Sequence, residues 1–336
     1  MLARGFGVVE RNGEEWVRSF EKFVDAVRVA KMFKRHGNLA LILDKKDSRF
    51  LKGVFLDGRA LGERIGVLPD GTKLDKAFPL FARDLVVHDE RSEEHWDVIF
   101  RNVSGAFCYV YSVDKVLASR DRKFRKVEEF ERVKGKLRRN LLRHLDDVVA
   151  LAIVVLLETK IRVGSEVYYK RTRHRGLSTL KKRDVRVVGD RVVFDFVGKD
   201  GVPQRIEKKF SGKVVDELKR LLVGDGDGFL FVKSGGGLLR DSDFEAGFER
   251  FCGVRFYPHI VRSAFATRET EKFFRRHEGG VGSRERVRDF YLWLAEELGH
   301  KKFSWRKQEW EACYEVTLHH YVRPDLVERM RLLGKS

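Results

Sequence analysis

Apolar positions follow two different spacings in the first third of the chain. Trp16, Phe20 and Phe23 begin an apolar stripe at three- to four-residue spacing, which predicts a helix over residues 14–36. Short apolar runs follow, separated by Asp-Gly turn dipeptides, and such runs predict strands. The predicted strands are Leu39–Leu43, Phe50–Phe55, His95–Phe100 and Ala106–Val113.

The pattern becomes mainly helical after residue 114. A basic helical segment covers residues 114–140, and the strongly apolar run Leu141–Thr159 predicts a buried central helix. Three alternating runs predict a small antiparallel sheet with strands Val185–Val188, Arg191–Val197 and Val202–Phe210. Helical spacing then recurs at 212–222, 241–251, 258–277, 283–298, 304–318 and 324–332.

Together these patterns predict an α+β protein of two domains. One hydrophobic core rarely grows past about 250 residues, so 336 residues favour a division. We expect a mostly β domain over residues 1–115 and a mainly α-helical domain with a small three-stranded antiparallel sheet over residues 116–336.

The charge balance indicates a polyanionic partner. The chain carries a formal net charge of +18, with 43% hydrophobic residues to build its cores. Such a balance suits nucleic acid, although ribosomal and generally basic proteins share it. In segment 114–140, the basic residues could form ion pairs with Glu128, Glu129 and Glu131 on a solvated helix face, or lie along DNA. Both interpretations stay open.

Cysteine usage and apolar-run length indicate a soluble, intracellular protein. The chain has three widely spaced cysteines, Cys108, Cys252 and Cys313. Their odd number and spacing argue against a disulfide scaffold and against a zinc site. Residues 1–20 lack the apolar stretch of a signal peptide, and no run is long enough to span a bilayer. Glutamine occurs only twice, which indicates a thermophilic source because amides are thermolabile.

Neither histidines nor carboxylates form a recognisable metal set in the sequence. The histidines lack a regular ligand spacing, and no clustered Asp/Glu group of the two-metal nuclease kind occurs. We therefore expect chemistry without metal or cofactor.

Five residues of the C-terminal half suit attack by a tyrosine on a DNA phosphodiester: Arg162, Lys199, Arg262, His300 and Tyr321. The local sequences are Lys-Ile-Arg-Val-Gly around Arg162, Gly-Leu-Ser-Thr-Leu from Gly176, and Gly-Lys-Asp-Gly around Lys199. This ordered series closely resembles the catalytic domain of type IB DNA topoisomerases, especially the small poxvirus and bacterial forms. The similarity runs from about residue 120 to 330.

The resemblance implies a role for each of the five. Arg162 and Arg262 would hold the non-bridging oxygens of the scissile phosphate, for which a guanidinium offers a fixed, always charged fork. Lys199 would protonate the leaving 5′ oxygen, and His300 would donate a hydrogen bond to the phosphate. Tyr321, in the sequence His-Tyr-Val-Arg-Pro, would be the nucleophile.

Two departures from the family pattern leave alternatives open. The residues around Arg262 differ from the family's Lys-Asp-Phe/Leu-Arg-Thr segment, which makes Arg268 an alternative. Tyr321 follows His300 by 21 positions, more than is usual in the family, so residues 301–318 are expected to be an inserted helix. Tyr314 lies within that insertion and competes with Tyr321 as nucleophile.

The expected activity is therefore relaxation of supercoiled double-stranded DNA by a monomeric, two-domain clamp. The covalent phosphotyrosine would conserve the energy of the broken bond, so neither ATP nor metal would be needed. A tyrosine recombinase or integrase uses the same five-residue chemistry and is the chief alternative. A non-enzymatic, basic architectural protein would explain the charge but not the five-residue series.

Overall fold

A computed structural model describes residues 9–12, 15–18, 23–52, 54–56, 59–61, 64–88, 95–102, 104–277 and 284–333. The chain divides into two compact units, residues 1–122 and 123–336. The division lies within one long helix, Val113–Leu141. That residues 1–115 form a separate DNA-clamping domain stays a prediction.

Among its described residues, the first unit combines short antiparallel strands with the amphipathic helix α1 (Val24–Arg35) and the start of the long helix Val113–Leu141. Its core is closed by large side chains from the helix and the strands, among them Phe33, Leu51 and Phe78. Strands β1 to β9 are Val9–Asn12, Glu15–Arg18, Val54–Leu56, Arg59–Leu61, Arg64–Val67, Lys73–Pro79, Arg83–Val87, Val98–Arg101 and Phe107–Val110. The predicted mixture of strands with one helix is present.

Two local predictions in this unit are wrong. The expected helix over 14–36 starts only at Val24, because Glu15–Arg18 pairs as a strand with Val9–Asn12. The Asn-Gly dipeptide at positions 12 and 13 is the sequence signal for such a hairpin. The expected strand Leu39–Leu43 is a 3₁₀ turn over Leu39–Ile42, since it follows directly on the end of α1.

The second unit is mainly helical around one large hydrophobic core. Its first helix, α2 (Val113–Leu141), begins in the first unit, and α3 (Val148–Thr159) is buried along nearly its whole length. The remaining helices, α4 to α10, are Glu166–Thr172, Gly212–Leu222, Asp241–Cys252, Ile260–His277, Arg284–Glu297, Glu315–Tyr321 and Pro324–Leu333. No helix among the described residues is long and apolar enough to cross a bilayer.

The predicted single helix Leu141–Thr159 is in fact the junction of two helices. Helix α2 ends at Leu141, and α3 begins only after Asp147. The Asp147 carboxylate caps α3 by accepting hydrogen bonds from the backbone N–H groups of Val149 (2.8 Å) and Ala150 (3.1 Å). The predicted buried central helix is therefore shorter, but it still ends just before Arg162.

The three-stranded antiparallel sheet is present as predicted. Strands β10 (Val185–Val188), β11 (Arg191–Val197) and β12 (Pro203–Lys209) lie in that order, with Val197 opposite Pro203 at the turn. Lys199 occupies that turn.

The expected inserted helix over residues 301–318 is wrong. The chain instead forms an antiparallel hairpin of β13 (Lys301–Ser304) and β14 (Glu309–Ala312), followed by helix α9 (Glu315–Tyr321). Phe303 pairs with Trp310 across the hairpin, which supplies the cross-strand aromatic contact that such hairpins need. The Cys313 N–H donates to the His300 carbonyl (3.0 Å) and closes the hairpin where it began.

Candidate active site

The backbone at Arg162 and Val163 is held by the segment that begins at Gly176. The N–H groups of Leu177 and Ser178 donate to the carbonyls of Arg162 (2.8 Å) and Val163 (2.7 Å). Gly164 has φ +87°, and its Cα lies only 2.7 Å from the place a Cβ on Gly176 would take. Only glycine allows this approach, which explains why the two motifs occur together.

Arg262 is the most deeply enclosed of the arginines in this region. It lies on α7, is 3% exposed, and donates to the carbonyls of Lys160 (2.5 Å) and Leu298 (2.7 Å). Burial lowers the pKa of Arg262 to about 10, and the neighbouring Tyr321 opposes that shift. The guanidinium therefore stays charged at neutral pH and is held in a fixed direction.

His300 lies between the two arginines. Its Nε2 is 2.8 Å from Arg262 Nη2 and 3.4 Å from Arg162 Nη2, while its Nδ1 is 2.7 Å from the Thr317 hydroxyl. Burial and the two positive charges lower the pKa of His300 to about 3. The imidazole is therefore neutral at physiological pH.

The ring of Tyr321 lies among these cations. The guanidinium carbon of Arg262 is 5.1 Å from the ring centroid, that of Arg162 is 6.0 Å away, and the His300 ring is 5.1 Å away. Lys123 Nζ is 5.5 Å from the same centroid. Three cationic side chains and the His300 imidazole thus surround the ring of Tyr321.

Tyr314 lies in different surroundings. Its ring stacks on Tyr291 with centroids 5.8 Å apart, beside the apolar side chains of Val287 and Met330. Arg268, the alternative to Arg262, pairs with Glu269 (3.1 Å) and Glu131 (3.8 Å).

Lys199 stands at the mouth of a cavity of about 390 Å³ that Arg162, Arg262 and His300 also line. Its side chain is exposed, at the turn between β11 and β12. Near the base of this turn, the Gln204 side chain on β12 donates a hydrogen bond to the Gly299 carbonyl (3.1 Å), one residue before His300. The lysine turn and the histidine are thus directly connected.

His259 is a member of this cluster that sequence reasoning did not single out. Its Nε2 is 3.1 Å from Arg162 Nη1, and its ring stacks between those of Tyr257 and Tyr321. Burial and the charges of Arg262 and Arg162 lower its pKa to about 3. Its position three residues before Arg262, immediately before the start of α7, was the available signal.

The structure therefore brings four of the five predicted residues into mutual contact and sets Lys199 at the same cavity. Two guanidinium groups and an imidazole thus surround the ring of Tyr321, and guanidinium groups are the side chains that bind phosphate oxygens in a bidentate geometry. Among the residues that the structure describes, no group of three or more His, Cys, Asp or Glu side chains could hold a metal ion.

Comparison with known proteins points to one family. Residues 115–233 match the family model for the catalytic core of eukaryotic DNA topoisomerase I. The chain is 31% identical over 166 residues to the DNA topoisomerase 1B of Vaccinia virus (strain Copenhagen), an alignment covering 46% of this chain and 53% of that protein. The resemblance to type IB DNA topoisomerases is confirmed.

Other similarities cover less or are weaker. The DNA topoisomerase 1B of Acanthamoeba polyphaga mimivirus is 25% identical over 127 residues, which is 35% of this chain and 37% of that protein. The chain thus spans about half or less of the length of these relatives. Of the five site residues, only Arg162 and Lys199 fall within the matched core, residues 115–233.

Two solved recombinase structures also align with the chain. The XerH site-specific recombinase bound to difH substrate aligns at 19% identity and a TM-score of 0.35, over 49% of this chain and 45% of that one. The XerA recombinase aligns at 18% identity and a TM-score of 0.33, over 60% and 62%. Similarity at this level does not distinguish one function from another.

Proposed function

We propose that the protein is a type IB DNA topoisomerase that relaxes supercoiled double-stranded DNA. The observation that carries the proposal is the convergence of Arg162, Arg262 and His300 on the ring of Tyr321, in a chain whose core segment matches this family. A tyrosine surrounded by phosphate-binding donors is suited to phosphoryl transfer, and packing against Leu298 and Val322 holds its ring in place.

In the proposed reaction, the phenolic oxygen of Tyr321 attacks the scissile phosphorus and gives up its proton to solvent. The bond from phosphorus to the 5′ oxygen breaks as the bond to tyrosine forms, leaving a 3′-phosphotyrosine. Lys199 gives a proton to the departing 5′ oxygen. The arginines stabilise the charge that builds on the non-bridging oxygens, each such donor contributing on the order of 2.7–4 kcal/mol. Religation reverses these steps and needs no outside energy.

We also propose that the basic face of α2 contacts the DNA backbone and that the two units form a monomeric clamp on the duplex. Lys126 and Lys134 pair with Glu129 and Glu131 at 2.7 and 3.3 Å. Arg125 and Arg132, in contrast, are exposed and have no acidic partner within 4.0 Å among the described residues. The helix therefore carries both ion pairs and cations available to phosphates.

Plasmid relaxation tests the proposed function. In EDTA and without ATP, we expect the protein to relax both positively and negatively supercoiled plasmid at a low enzyme-to-DNA ratio. Relaxation should weaken steeply as salt rises, because each phosphate contact releases counterions. Joined recombinant products at one attachment sequence, without general relaxation, would instead identify a recombinase. Binding with neither reaction would identify an architectural protein.

A further inference from the structure

The hairpin between His300 and Tyr321 presents one aromatic face and one polar face. Phe303 on β13 lies opposite Trp310 on β14, and Trp305, the first residue of the turn, packs against the Phe303 ring. The Phe303 ring makes edge contacts with Trp305 (5.1 Å) and Trp310 (5.4 Å). Trp305 is nevertheless 80% exposed. A tryptophan this exposed at a hairpin turn does not contribute to a core.

The root of this hairpin belongs to the wall of the active-site cavity. Lys301 and Lys302 line it together with Arg162 and Lys199. The Lys301 ammonium reaches the Pro203 carbonyl (3.4 Å), at the base of the turn that holds Lys199. Because Lys301 is on the aromatic face, that face lies on the side of the lysine turn. A strand of four residues is about 14 Å long, which is roughly four nucleotide spacings.

The hairpin also has the charge that a DNA contact needs. Residues 301–312 include four basic and two acidic side chains, and Arg306 directly follows the exposed tryptophan. Lys307 is neutralised by Glu311 (2.5 Å), whereas Arg306 has no acidic partner within 4.0 Å among the described residues. An aromatic ring followed directly by an arginine without an acidic partner matches the stacking and phosphate contacts by which proteins hold nucleic acid.

We propose that this hairpin is a DNA contact beside the scissile phosphate, in which Trp305 packs against a base and Arg306 meets a neighbouring phosphate. The proposal rests on the proposed function, because a phosphate in the cavity places the flanking nucleotides within reach of the hairpin. It adds a binding element outside the groups that carry out the chemistry.

Affinity for a mixed-sequence duplex oligonucleotide tests this contact. Trp305→Ala should weaken binding about tenfold or more, and Trp305→Tyr should restore most of the loss. DNA should quench indole fluorescence in the wild type and in Trp293→Phe, a matched control on α8, but much less in Trp305→Phe. Trp305→Ala should still form covalent adduct once DNA is saturating.

The outcomes separate this proposal from the proposed function. If the wild type cleaves DNA and Trp305→Ala binds DNA as tightly as the wild type, the hairpin contact is wrong and the proposed function still stands. A change of oligomeric state in Trp305→Ala, with DNA affinity unaltered, would also overturn it and identify a protein interface. If the wild type binds DNA but makes no adduct, the proposed function fails, and the binding and quenching data still decide on the hairpin.

A second inference rests on a different observation, the hydrogen bond between Thr317 and His300. Thr317 is completely buried and lies one helical turn before Tyr321 on α9. Its hydroxyl is 2.7 Å from His300 Nδ1. Guanidinium groups only donate, so His300 Nε2 accepts from both arginines, and the ring proton must be on Nδ1 and point at Thr317. The threonine thus specifies the orientation of the imidazole.

We infer that Thr317 is a positioning residue, which keeps His300 Nε2 directed at the place of the scissile phosphate while fixing the helix that carries Tyr321. A hydroxyl both donates and accepts. In the free protein, the Thr317 hydroxyl accepts a hydrogen bond from the proton on His300 Nδ1. When a phosphate oxygen replaces the arginines as the partner of Nε2, the ring proton is on Nε2, and the hydroxyl can donate to Nδ1 instead. This inference also rests on the proposed function.

Three variants test the inference in single-turnover cleavage. Thr317→Val keeps the shape of the side chain but loses the hydroxyl, and should slow cleavage at saturating DNA by about 10- to 100-fold with DNA affinity unchanged. Thr317→Ser should restore the rate. The control is Thr270→Val, because Thr270 is equally buried but bonds only to the Ala266 carbonyl of its own helix.

Equal rates for the wild type and Thr317→Val would contradict the inference. The inference would also be contradicted if Thr270→Val and Thr317→Ser slowed cleavage as much as Thr317→Val, because that result means general destabilisation. A wild type without cleavage activity refutes the proposed function instead. In that case NMR of His300 still tests the bond: the resonances of the Nδ1–H group should shift in Thr317→Val, which removes its hydrogen-bond partner, and should stay unchanged in Thr270→Val.

Discussion

Tyr321→Phe should bind DNA with the affinity of the wild type and form no covalent protein–DNA adduct. The substitution removes one oxygen atom from a ring that stays held between Arg262, Arg162 and His300. Without that oxygen there is no nucleophile, so the loss should be complete and not partial. The measurement is denaturant trapping of labelled plasmid fragments, with binding followed in parallel by filter retention.

Tyr314→Phe is the matched control for this experiment. Tyr314 lies seven positions earlier, where its ring packs on Tyr291 and an apolar cluster that includes Val287 and Met330. We expect it to keep the adduct at wild-type yield. Loss of the adduct in Tyr314→Phe alone would show that the nucleophile is misassigned.

Lys199→Ala should slow cleavage of ordinary DNA by about 10²- to 10⁴-fold, the usual contribution of a positioned general acid. The exposed lysine stands at the mouth of the cavity on a fastened turn, from which its ammonium can reach a leaving oxygen. A substrate with sulfur in place of the bridging 5′ oxygen needs little protonation of its leaving group. Placed at a cleavage site mapped with the wild type, it should restore the rate of the variant.

Lys209→Ala serves as the control for a general effect of charge. It removes an exposed lysine from the same hairpin, at the end remote from the cavity, where it pairs with Asp190 (2.6 Å). We expect a small effect on cleavage that is the same for oxygen and sulfur substrates. If sulfur fails to restore Lys199→Ala, the lysine positions the turn or the DNA and does not donate the proton.

The part of the site that the sequence predicted well depends on contiguous motifs. The loop around Arg162 and the turn around Lys199 are each specified within a few residues, by glycines that permit close backbone contacts and by strands of clear alternation. Such local determinants can be recognised without knowing the tertiary structure. For the same reason, helix Gly212–Leu222 lies where its periodicity predicts it.

What the sequence did not predict depends on contacts between distant segments. His259 and Thr317 join the site through partners 97 and 17 positions away. The hairpin 301–312 was mistaken for a helix because its turn has no glycine, proline or asparagine. Gln308 takes the left-handed conformation there, with φ +56°. The cross-strand pairing of Phe303 with Trp310 then stabilises the strands.

The hydrogen bond between Cys313 and His300 makes the hairpin a closed excursion from the path of the chain. The backbone leaves at the histidine and returns to the same point before α9 delivers the tyrosine. Residues can therefore be gained or lost at the tip without changing the separation of the two groups in space. This arrangement explains why His300 and Tyr321 are far apart in the sequence but have neighbouring rings in the structure. It also offers a place where the range of DNA sequences accepted could diverge, in nature or by design, while the reacting groups stay unaltered.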